Sequence, residues 1–144
     1  MIKTSALQDG LAQKSARLER CVQRAREEHA NATEFLTDFT RQDAAILNIQ
    51  RACELAIDMG NMAIAFEGWG LPASAREVFA TLRQRTIIDT DMAHALERMV
   101  GFRNIAVHGY QVLDMTIVAA VIQRDIDCLP QFAGKLLGHY LKRN

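Results

Sequence analysis

Residues 89–110, DTDMAHALERMVGFRNIAVHGY, decide the fold class. Met92, Leu96, Met99, Arg103, Ala106 and Tyr110 recur at steps of three or four, the repeat of one helix face. Asp89 or Thr90 can cap the start, and Gly109 is expected as a left-handed terminator after His108. Arg103 falls on or beside the apolar stripe. A guanidinium there needs a partner, a subunit interface or a ligand, because an unpaired buried charge is costly.

The same helical repeat extends outward in both directions. Upstream, a first helix is expected from about Ser5 to His29, with Leu7, Leu11, Leu18, Val22 and Ala25 as its apolar stripe. Arg17, Arg20, Arg24 and Arg26 lie around it, interleaved with Glu19, Glu27 and Glu28, and read as a solvated face with RNA contact as the alternative. After a connector over 31–40, a long helix is expected from about Arg41 to Phe66, carrying Ile46, Ile49, Gln50, Cys53, Ile57 and Ile64. Gly68, Gly70 and Pro72 mark a loop, with Trp69 as its hydrophobic plug. Ser74 and Glu77 form a capping box that opens a short helix to about Arg85. Ile87 and Ile88 then dock the chain. Downstream, Asp114 or Thr116 starts a last helix that Pro130 must kink or restart.

The expected architecture is all-α, an antiparallel four- to five-helix bundle, in one domain over residues 1–144. Seventeen basic and seventeen acidic side chains cancel. Overall charge therefore points to neither a nucleic acid nor a membrane surface, and RNA binding would need a local basic patch. No segment approaches the roughly 20 apolar residues of a membrane span, and Met1 to Leu11 has no signal-type apolar run. Three distant cysteines, Cys21, Cys53 and Cys128, show no metal-ligand spacing and read as reduced thiols of a cytoplasmic protein.

Arg103, His108 and Tyr110 are the chemically suggestive set. Arginine's planar fork recognises phosphate, and histidine exchanges a proton near neutral pH. Together they suit metal-independent cleavage of RNA, which carries its own nucleophile in the 2′-OH. Five residues on a helix amount to about 140° of rotation and about 7.5 Å of rise. Arg103 and His108 of one helix therefore do not meet, unless the helix loosens at its end or a second subunit brings its own helix alongside. Glu54 and Asp58, one turn apart, suggest either a metal or acid/base pair or partners for arginines such as Arg103; the second reading is preferred.

The run from Met99 to Tyr110 resembles the Arg-x₄-His-x-Tyr signature of HepT-like proteins in the HEPN superfamily. Gly70 to Phe79 followed by Leu82, and Ile49-Gln50 with Cys53 to Asp58, resemble the same family. The similarity covers about Ala44 to Phe132. It implies a helical bundle that dimerises near the motif helix, and an RNase toxin of a toxin–antitoxin pair acting on transfer or messenger RNA. Its partner would be an MntA-type nucleotidyltransferase that transfers AMP from ATP to the motif tyrosine. The resemblance makes Arg103 and His108 catalytic, Tyr110 the AMPylated residue and Asn104 a supporting polar group, with no metal or cofactor. Two other readings stand beside it: a non-catalytic HEPN module that presents substrate or nucleotide to the nucleotidyltransferase, and a purely structural dimeric bundle.

Overall fold

The computed structural model describes residues 4–30, 32–109 and 113–142. Among them are α1 (Thr4–His29), the single turn α2 (Ala32–Phe35), α3 (Phe39–Glu67), α4 (Ala75–Gln84), α5 (Thr90–His108), α6 (Met115–Gln123) and α7 (Cys128–Leu141), with no strand. None of these helices is long and apolar enough to cross a membrane.

Local chemistry sets the helix ends. Asp38 accepts from the Arg41 N–H at 3.1 Å and opens α3. Gly68, at φ +71°, closes it while the Trp69 N–H reaches the Ile64 carbonyl, a left-handed exit that favours glycine. Ser74 caps α4, Asp89 caps α5 and Asp114 caps α6. The Glu77 carboxylate of the capping box accepts from the Ala73 N–H, one residue before the serine.

Three details depart from the expectation. Gly109 has φ −139° and ψ 38°, so it is not left-handed, although its N–H still closes α5 on the Ile105 carbonyl at 2.7 Å. The expected last helix is two helices, and it breaks at Arg124 and a 3₁₀ turn (Asp125–Asp127), upstream of Pro130. Pro130 sits in the first turn of α7, where a missing N–H breaks no intrahelical bond. Third, the connector holds the extra turn α2, and α3 starts two residues earlier than read, at the Asp38 cap.

Cross-helix contacts give the direction of packing. Gly10 faces Met62, Lys14 faces Asp58 and Glu28 faces Arg41, so α1 and α3 run antiparallel. Gln8 donates to the Tyr140 carbonyl at one end of α7 and Arg26 pairs with Asp127 at the other, so α1 and α7 are antiparallel too. Gly60 lets α4 approach α3; a Cβ there would collide with Val78. The core joins the α1 stripe, the inner face of α3, Val78, Phe79 and Leu82 of α4, the docked Ile87 and Ile88, and Phe132 and Leu136 of α7. Trp69 is partly buried against this core, under the Arg85 guanidinium at 5.0 Å.

Candidate active site at the end of helix α5

Helix α5 enters the core by Ala93, Leu96, Met99 and Val100, and leaves it by Phe102 and Ala106. Arg103 lies beside that departing stripe. Its side chain is 20% exposed, and its Nε stands 3.0 Å from Glu54 Oε1 on α3. Nε is itself buried, and the contact is too far off line to be a hydrogen bond. Charge therefore holds the pair, and the guanidinium's burial is offset by a carboxylate of the same chain.

Asp58, one turn on from Glu54, takes a different cation. Its carboxylate is 3.7 Å from Lys14 Nζ on α1. The two acids thus do not converge on a shared ligand, and no group of three or more metal-ligating side chains occurs among the described residues.

His108 is the last residue of α5 and is exposed. The helix runs unbroken from Arg103 to His108, so it does not loosen to bring the two heads together. Asn104, next to the arginine, is exposed, as are Ile105 and Val107. Tyr110 lies outside the described residues.

Two thiols sit behind this site. Cys53 donates to the Met99 carbonyl at 3.8 Å, tying α3 to α5 one turn before Arg103. Burial pushes it up to about 12, with the neighbouring Cys128 adding to the effect and Arg103 opposing it. Cys128 is pushed up to about 12 for the same first reason. Both are neutral, packed groups at physiological pH, and all three cysteines are free thiols. On the outer side, a groove of about 470 Å³ between α1 and α3 is lined by Arg17, Arg20, Cys21, Arg51, Glu54 and Asp58 among others. Sequence reasoning missed this groove and Arg51 with it. The signal was Arg51, Glu54 and Asp58 on one face of α3.

Residues 16–136 match the family described as ribonuclease HepT-like. The chain belongs to that family. It is 39% identical over 126 residues to the mRNA nuclease HepT of Shewanella oneidensis, covering 88% of this chain and 95% of the relative. Among solved structures it is similar to a toxin–antitoxin with AMP-PNP, at TM-score 0.84 and 38% identity over 88% of this chain and 96% of that one. It is equally similar to a tri-AMPylated Shewanella oneidensis HEPN toxin in complex with its MNT antitoxin, with TM-score 0.84, 38% identity and the same shares covered.

Proposed function

We propose that this chain is the ribonuclease toxin of a toxin–antitoxin pair, that Arg103 and His108 carry the cleavage, and that AMP transfer to Tyr110 by an MntA-type nucleotidyltransferase silences it. Membership of the HepT-like family supports the activity. The observation that carries the site assignment is the Arg103–Glu54 pair at the place where α5 leaves the core. Glu54 occupies the Nε side of the guanidinium, which leaves the two terminal nitrogens to face a phosphate.

His108 takes the proton of the RNA 2′-OH, and the freed oxygen attacks the adjacent phosphorus. The bond to the 5′-oxygen breaks, that oxygen takes a proton from solvent water, and His108 returns the proton it took to the hydroxide left behind. The products are a 2′,3′-cyclic phosphate and a 5′-hydroxyl, reached without a metal because the nucleophile is the substrate's own. Arg103 stabilises the charge that builds on the phosphorane oxygens, and Asn104 orients the same phosphate. Glu54 is a positioning residue for Arg103; Asp58 supports it by keeping Lys14 away from that carboxylate. Since the two heads of one α5 are turned apart, a second copy supplies the missing half. Ile105 and Val107, exposed at 48% and 44% beside His108, give that homodimer an apolar contact. Residues 1–144 act as one domain, in the cytoplasm where the RNA is.

AMP on Tyr110, two residues from His108, adds negative charge and bulk, and so repels the RNA backbone. Expressing the chain alone should arrest growth, and Arg103→Ala or His108→Ala should relieve the arrest with the circular dichroism spectrum unchanged. Undiminished toxicity in both variants would sink the assignment. After incubation with the cognate nucleotidyltransferase and ATP, mass spectrometry should find AMP on Tyr110; adducts only elsewhere refute its role.

A further inference from the structure

The arginines of α1 divide into two kinds. Arg24 pairs with Glu28 at 3.6 Å, and Arg26 pairs with Asp127. Arg17 and Arg20 have no carboxylate within 4 Å among the described residues, and neither does Arg51 across from them on α3. All three are exposed, and all three line the groove of about 470 Å³ between α1 and α3. Arg17, Arg20 and Cys21 fall at i, i+3 and i+4 on α1; Arg51, Glu54, Leu55 and Asp58 fall at i, i+3, i+4 and i+7 on α3. Each set is one helix face, and the antiparallel packing of the helices turns the two faces into one channel. The half-buried Cys21 thiol lies between the three cations: burial raises its pKa, while Arg51, Arg17 and Arg20 each pull it down. The two acids of the channel are already engaged, Glu54 by Arg103 and Asp58 by Lys14.

We propose that this groove is a track for the RNA backbone, in which Arg17, Arg20 and Arg51 each hold a phosphate and lead the strand to Arg103. The proposal deepens the ribonuclease reading and rests on it. Continuity favours RNA over an acidic protein face, because Glu54 lines the groove and also holds the arginine of the proposed active site. The net charge favours it as well: a chain with equal numbers of acids and bases can hold a polyanion only where cations are gathered and unpaired. Guanidinium forks suit phosphate oxygens at each position.

The test is the salt dependence of RNA binding. A mixed-sequence single-stranded RNA is titrated with the His108→Ala chain, which leaves the RNA uncut, between about 50 and 200 mM salt. Adding Arg17→Gln, Arg20→Gln and Arg51→Gln should weaken binding and make the slope of log K against log salt shallower by about 2, at roughly 0.7 for each phosphate no longer held. A control triple, Arg24→Gln, Arg83→Gln and Arg124→Gln, removes the same charge from exposed sites elsewhere and should leave the slope unchanged. Circular dichroism and Tm check that each variant folds. An unchanged slope in the groove triple, or an equal change in the control, overturns the track. So does a groove triple that loses its nucleotidyltransferase partner yet keeps the RNA slope, which would make the groove a protein-docking face. The two readings fail separately. A wild-type chain that cuts no RNA, with the slope change intact, sinks the nuclease and leaves the track; cleavage with no slope change does the reverse.

Discussion

The two ends of α5 differ in what covers them. From Ala93 to Val100 the inward residues are buried against α3, α4 and α7. In the last two turns only Phe102 and Ala106 remain buried, while Asn104, Ile105, Val107 and His108 face out. The first half of the helix is a structural strut. The last two turns keep only this narrow buried edge, and Arg103 and His108 sit on the thinly covered part. A side chain on that thinly covered part can reach a ligand while a rigid, well-packed helix still fixes its position.

That contrast can be broken in several places. The largest effect should come from His108→Ala, which removes the proposed proton-transfer group and lowers RNA cleavage by about 10² to 10⁴ fold, read on a labelled RNA, with Tm unmoved. Leu96→Ala, in the packed half, should do the opposite. It costs about 2 to 5 kcal/mol of stability by denaturant unfolding and spares the cleavage rate of the molecules that remain folded.

The buried thiols behind the site give a pH signature. A cysteine of ordinary pKa 9.0 that is pushed up to about 12 in the fold keeps its proton longer folded than unfolded. The stability this provides is fully present below about pH 9 and is lost as pH rises toward 12. The urea midpoint should therefore fall over that window, and fall less in the Cys53→Ala, Cys128→Ala double variant.

Glu54→Gln should cost under about 1 kcal/mol, because the carboxylate is half exposed and solvent screens the pair. It should nonetheless slow cleavage, since Arg103 loses its anchor. A stability loss with no change in cleavage would make Glu54 structural only. Ile105→Ala, at the uncovered end, should change the monomer's stability by no more than about 0.5 kcal/mol and show its effect in self-association, measured by sedimentation.

Much of this was legible in the sequence because it is local. Ser74, Asp89 and Asp114 announce their helix starts by residue type, and the α1 stripe needs only a 3.6-residue period. The need of Arg103 for a partner, and Glu54 as a candidate, followed from charge on a buried face. The Asp58–Lys14 pair did not, because the register of α1 on α3 is set by close packing such as Gly10 against Met62. The break at Arg124 was hidden because Pro130 drew attention to itself, yet a proline is harmless in a first turn. The groove draws residues 17 and 20 together with residue 51, and no local pattern reports such a pairing. At Gly109 residue type misled: glycine permits a left-handed exit without requiring one.

The central claim is that Arg103 and His108 act together, on different copies of α5, in one RNA-cleaving site. Mixing the inactive Arg103→Ala and His108→Ala chains under conditions that let dimers exchange tests it most directly. Each mixed dimer would hold one intact pair and one doubly defective pair, so random exchange should restore about a quarter of wild-type cleavage. A mixture as inactive as its two components would contradict the shared site.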